Sequence, residues 1–171
     1  GSYSRRRAER REAATEGNAF LFVGYTLLHK LGVASELKLD DKKLRALLRA
    51  LQAGLHPTPF QSSTHAAEDA HAMNFILTTG GLIEKLNLTK LDIFAAIFAE
   101  LMHNYDHPGF NNNFHTRTHG YLSTLYNDRS ILENHHCSCI FEMMRHPRYD
   151  IFQTGMGFGY GNMGGICRGL L

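Results

Sequence analysis

Thr89-Lys90-Leu91-Asp92-Ile93-Phe94-Ala95-Ala96-Ile97-Phe98-Ala99-Glu100-Leu101-Met102-His103-Asn104-Tyr105-Asp106-His107-Pro108-Gly109 is the stretch of this chain that decides its fold. Thr89-x-x-Asp92 has the form of a capping box, with Asp in the place usually taken by Glu or Gln. It opens a strongly apolar helix carrying Leu91, Phe94, Ala95, Phe98, Leu101 and Met102. His103 stands at the end of that helix, and Pro108-Gly109 breaks the chain. Two histidines and an aspartate are thereby gathered at one helix end, with Asn111-Asn112-Asn113 following.

Working outward, the neighbouring segments also read as helices. Asn18 is placed to cap a segment with Phe20, Leu21, Val23, Leu27, Leu28 and Leu31, which ends before Gly32. Asp41 is placed to cap the next, whose Leu44, Leu47, Leu48 and Leu51 follow the i, i+3, i+4, i+7 rule until Gly54. His56-Pro57-Thr58-Pro59 is a loop, because two prolines cannot donate to a helix. A further helix is expected over 64–79, stopping at Gly80-Gly81. A last one holds Leu132, Ile140, Phe141, Met143 and Met144 and ends at Pro147. No alternating strand pattern and no internal repeat are present, so the expected fold is all-α.

The 171 residues fit one domain, and 43% hydrophobic with 20% charged residues is ordinary globular composition. A net charge of +2 argues neither for nor against nucleic acid, and no nucleic-acid partner is expected. Arg5-Arg6-Arg7 with Arg10-Arg11 reads as a solvated, disordered basic terminus over 1–17. Cys137, Cys139 and Cys167 give an odd count without paired spacing, so no disulfide framework is expected, and the first two read as core or near-core thiols. Cys137-x-Cys139 is too tight for the usual zinc-finger spacing. No apolar run approaches a membrane span, which leads to the expectation of a cytoplasmic protein. From residue 153 glycine crowds the sequence. Gly159-x-Gly161-x-x-Gly164 matches a dinucleotide fingerprint as a string, but no strand precedes it and no helix follows, so a flexible tail is expected.

His65 lies in Ser63-Thr64-His65-Ala66-Ala67-Glu68, ahead of the His103 turn. Downstream runs Tyr126-Asn127-Asp128-Arg129-Ser130-Ile131-Leu132-Glu133-Asn134-His135-His136. In this order and rough spacing the three segments resemble the class I 3′,5′-cyclic-nucleotide phosphodiesterases over 18–152, most strongly over 89–144. Asn-Asn-Phe-His followed by Leu-Tyr-Asn-Asp-Arg-Ser is most similar to the calmodulin-regulated branch. The resemblance implies the N-terminal portion of an HD-type helical catalytic domain, cyclic AMP or cyclic GMP as substrate, and Zn²⁺ and Mg²⁺ as cofactors. It makes His65 and His103 metal ligands, His107 and Glu133 supports of metal-bound water, and Gln61 the occupant of the general-acid position.

The same resemblance exposes departures. The family carries His-Asp where this chain has His103-Asn104, and that Asp bridges two metals. An amide is neutral and offers one oxygen, so the second ion should bind poorly or not at all. Gln61 stands where the family has the His that protonates the leaving oxygen, and general-acid assistance of roughly 10²–10⁴-fold goes with it. Asp106 is not read as a substitute ligand. The family's remaining metal Asp, purine-gripping Gln and aromatic clamp lie beyond the part matched. The expectation is a strongly impaired or inactive phosphodiesterase. The alternative is a pseudoenzyme or interaction module that binds a protein partner through an exposed apolar face.

Overall fold

The computed structural model describes residues 18–56 and 62–152. The basic segment 1–17, Pro57 and Pro59, Gln61, Cys167 and the glycine-rich tail 153–171 lie outside the described residues. Four longer helices build the core: α1 (Ala19–Lys30), α3 (Asp41–Ala53), α4 (Ser63–Thr78) and α6 (Lys90–Met102). Between them lie single-turn helices α2 (Val33–Glu36) and α5 (Leu82–Lys85). The chain then runs through α7 (Asn112–Arg117) and α8 (Tyr121–Tyr126) into α9 (Ile131–Met144). The only extended pairing among the described residues is an isolated antiparallel bridge between Leu39 and Phe152. The all-α expectation therefore stands, while the short helices α2, α5, α7 and α8 were not anticipated.

The helix ends follow local chemistry. Thr89 and Asp92 complete the capping box: Asp92 N donates to Thr89 Oγ1 at 3.2 Å, and Thr89 N donates to Asp92 Oδ2 at 2.8 Å. These bonds to the charged form hold the Asp92 carboxyl below its usual range. Ser62 caps α4 by accepting from His65 N at 3.2 Å. Two expected caps need correction. Asp40, not Asp41, caps α3, because Asp40 has the extended backbone (φ −69°, ψ 115°) that lets its carboxylate accept from Lys43 N. Asp41, inside the first turn, faces the surface and accepts from the Tyr25 hydroxyl at 2.6 Å and pairs with Arg45 at 3.0 Å. Asn18 precedes α1, but its side chain makes no capping bond, its φ of −100° and ψ of 24° lying outside the extended region.

Phe20, Leu44, Leu47, Leu48, Leu51, Ile97, Phe98 and Leu101 are buried where α1, α3, α4 and α6 meet. Phe94 and Phe98 stack with ring centroids 5.0 Å apart, and Phe152 meets Phe94 edge-on at 5.5 Å. Gly54 ends α3 for a packing reason. It has an ordinary right-handed backbone, but a Cβ there would lie 2.1 Å from the Tyr105 ring. The close approach is sealed by Asp106 N donating to the Gly54 carbonyl at 2.9 Å. The polar turn after α6 is thus pinned against the end of α3. Cys137 lies in the core and Cys139 is half-buried.

Candidate functional site

His65 lies on the first turn of α4 and Asp69 one turn later, so i, i+4 spacing puts both on one face. His65 Nε2 is 3.2 Å from Asp69 Oδ2. His103, the residue that closes α6, brings its Nε2 to 3.7 Å from the same oxygen. The two imidazoles meet nearly edge to face, centroids 6.2 Å apart. One nitrogen from each ring and one Asp69 oxygen all fall within 4.8 Å of one another. Asp69 was not singled out in the sequence, although its four-residue offset from His65 was visible there.

The His103 tautomer follows from its partners. Its Nδ1 lies 2.9 Å from the Glu100 carbonyl, which can only accept, so Nδ1 carries a proton and, in the neutral ring, Nε2 keeps the lone pair. A backbone carbonyl behind the ring is the support that commonly orients a metal-binding imidazole. The lone pair is already engaged, however. The buried Asn104 places its Nδ2 2.7 Å from His103 Nε2. An amide oxygen there would face a lone pair, so the NH₂ group donates. A carboxylate at 104 would offer no such donor. Glu100 beside this cluster has its carboxyl pushed up by burial, with His103 only partly opposing the effect.

The other expected residues lie elsewhere. His107 Nδ1 accepts from Gly109 N at 3.0 Å, and its ring stacks on His136 at 5.5 Å. Burial is the first cause that lowers the His107 pKa, and neighbouring His115, His103 and His56 add to it. Glu133 accepts from Asn112 Nδ2 at 3.0 Å. The carboxylate of Asp106 is turned to His135 at 2.9 Å and His56 at 3.4 Å, and not to the His65 cluster. The structure thus gathers His65 and His103 and adds Asp69 to them.

This donor set fits one divalent ion. Ligand bonds of about 2.0–2.2 Å in a tetrahedral arrangement need ligand–ligand edges of about 3.3 Å, close to the separations seen. Beside this set Asn104 presents a nitrogen to His103, and Glu133 is held by Asn112.

A family profile for 3′5′-cyclic nucleotide phosphodiesterase matches residues 60–157. A probable 3′,5′-cyclic phosphodiesterase of Caenorhabditis elegans is 37% identical over 133 residues, 77% of this chain and 20% of that protein. A dual specificity calcium/calmodulin-dependent 3′,5′-cyclic nucleotide phosphodiesterase of Drosophila melanogaster is 34% identical, covering 81% of this chain and 16% of that one. The phosphodiesterase domain of a rhodopsin fusion protein from the choanoflagellate Salpingoeca rosetta superimposes with a TM-score of 0.76 at 26% identity, over 88% of this chain and 46% of that domain. The structure of LmjPDEB1 in complex with IBMX gives a TM-score of 0.80 at 27% identity, over 95% of this chain and 48% of the other. The chain therefore spans about a quarter or less of the curated relatives it matches and about half of the solved domains. Family members generally use divalent metals, and the grouping of His65, Asp69 and His103 is compatible with that chemistry. The match over more than half of the chain, and the shared helical fold, make this chain a member of the 3′5′-cyclic nucleotide phosphodiesterase family.

Proposed function

We propose that this chain is a strongly impaired cyclic-nucleotide phosphodiesterase that holds one divalent ion, such as Zn²⁺, on His65, Asp69 and His103. The observation that carries this reading is the Asn104 amide donating to His103 Nε2. A divalent ion on the triad would polarise a phosphoryl oxygen and acidify a bound water. His65 and His103 supply nitrogen donors from two different parts of the fold, and Asp69 supplies a carboxylate. Asn104 opposes this twice: its NH₂ competes for the His103 lone pair, and it lacks the second oxygen needed to hold another cation such as Mg²⁺. With Gln61 at the general-acid position no titratable group serves the leaving oxygen there. Asp69 keeps a carboxylate beside the two histidines, which favours retained ion binding over retained turnover.

The test is cyclic AMP and cyclic GMP hydrolysis by the purified chain with added Zn²⁺ and Mg²⁺, alongside Mn²⁺ binding read by water relaxation. The expected result is no turnover above the uncatalysed background, and Mn²⁺ affinity that rises about 10-fold or more in Asn104→Asp. Turnover by the unaltered chain in the ordinary range of about 1–10³ s⁻¹ would overturn the proposal.

A second reading, an interaction module, is favoured by one observation. Phe22 on α1 and Phe75 and Ile76 on α4 remain 60%, 58% and 47% exposed. A groove of about 920 Å³ runs beside Phe22, lined by Leu21, Val23, Leu27, His71 and Asn74 among others. Under that reading Phe22→Ser abolishes concentration-dependent association in sedimentation.

A further inference from the structure

We infer that Asp106, His135 and Cys139 form a second divalent-metal site, suited to Zn²⁺, that clasps α9 to the turn after α6. It shares no ligand with the His65 cluster, and none of its residues belongs to the set expected to bind metal.

The donors arrive from separate parts of the chain. His135 and Cys139 are one turn apart on α9 and so share a face. Asp106 sits in the turn after α6 at φ 53°, a left-handed conformation that aspartate tolerates, and its backbone is fixed to Gly54. His135 Nε2 is 2.9 Å from Asp106 Oδ2, and Cys139 Sγ is 3.7 Å from the His135 ring nitrogens. Their three donor atoms lie within 4.8 Å of one another. Tetrahedral zinc, with Zn–N and Zn–O near 2.0–2.2 Å and Zn–S near 2.3 Å, demands edges of about 3.3 Å between N and O and about 3.6 Å between S and N. The N–O and S–N separations thus lie within about half an ångström of these edges, and the Asp106-to-Cys139 separation is within 4.8 Å.

A further imidazole lies beside this trio, on the far side of the Asp106 carboxylate and outside the set of three. His56, two residues beyond Gly54, has its Nε2 3.4 Å from the other Asp106 oxygen. The mixture of imidazole, carboxylate and thiol is the set a borderline-soft ion prefers, and a poor one for Mg²⁺ or Ca²⁺. Access is open, because Asp106 and His56 are exposed while His135 backs them from inside. Without a cation, burial first and Asp106 second push the Cys139 thiol pKa up. A bound cation reverses that electrostatics, so the thiol proton leaves to solvent as the Zn–S bond forms.

Cobalt reports the site, because sulfur-to-cobalt charge transfer appears in the near ultraviolet only when a thiolate is bound. Titrating the metal-free chain with Co²⁺ is expected to raise that band, and Zn²⁺ is expected to displace it and raise the melting temperature. Cys139→Ser and Cys139→Ala should both lose the band and weaken Zn²⁺ binding about 100-fold, with unchanged metal-free melting. Asp69→Asn should keep the band, which separates this site from the first cluster. No band in the parent chain, or a band that survives in both Cys139 variants, would overturn the inference.

Discussion

The molecule has two differently made ends. At one, α1, α3, α4 and α6 pack through apolar side chains, and Phe20, Leu44, Leu48, Ile97 and Leu101 have no measurable exposure. At the other, from His103 to α9, the chain turns through left-handed residues Asp106, His119, Asn127, Asp128 and Ser130. There the backbone is held by side chains: Asn111 caps α7, Asn134 Nδ2 donates to the Arg129 carbonyl at 2.9 Å, and Asn112 reaches across to α9. Apolar packing is indifferent to protons and metals, whereas a polar scaffold responds to both. The titratable groups with chemical potential sit where the second kind begins, on a foundation supplied by the first.

The largest expected effect breaks the foundation. Phe98 is 1% exposed and stacks on Phe94. Phe98→Ala should cost about 3–5 kcal/mol, through lost burial and the cavity left behind. Denaturant unfolding should show this loss equally at pH 7 and at pH 5, since no ionisable group is involved. A loss that depended on pH would mean the two ends are less separate than described.

Next in size is a loss that only the polar end should show. His136 is buried, stacks on His107, and donates from Nδ1 to the Tyr105 carbonyl at 2.5 Å. Burial lowers its pKa to about 4, against an ordinary value near 6.5. The folded state thus binds this proton less readily than the unfolded state. Its contribution is fully present above pH 6.5 and is lost as pH falls toward 4, roughly 3 kcal/mol in all. His107, His135 and Glu133 also face it, so the comparison must be with His136→Gln. With chelator present, stability of the parent minus that of the variant should fall between pH 6.5 and 4. A difference that stays flat would refute the assignment.

The same division explains what the sequence made legible. The capping box and apolar run around Phe94 and Phe98 are local signals, so α6 and its terminal His103 could be read directly. Asp40 and Asp41 are adjacent acids, and only the backbone angles decide which one caps α3. The short α7 and α8 are rich in Asn, Thr, His and Tyr, with no apolar stripe long enough to mark them. His65 and His103 could be placed by resemblance and Asp69 shares a helix with His65, but the approach of His103 to that pair rests on the α4–α6 packing, which no single segment reveals. Likewise His135 and Cys139 show their helical offset in the sequence, while the approach of Asp106 depends on Gly54 admitting the Tyr105 ring.

The smallest effect expected sharpens the contrast at one residue. Asn112 accepts from Leu132 N at 2.9 Å through Oδ1, while its Nδ2 donates to Glu133 at 3.0 Å. Ser130, before α9, is left-handed and makes no side-chain cap. Asn112 therefore satisfies an otherwise free amide of the first turn of α9 from a distance, as a helix cap would. Asn112→Ala should cost about 1–2 kcal/mol. Hydrogen exchange should localise the loss to the first turn of α9, leaving α1, α3, α4 and α6 protected. Asn112→Asp keeps the acceptor but faces Glu133 with a like charge, so it should recover only part of the stability, and more of it at high salt. Exchange that quickened equally in α6 would mean that the polar end does not open by itself.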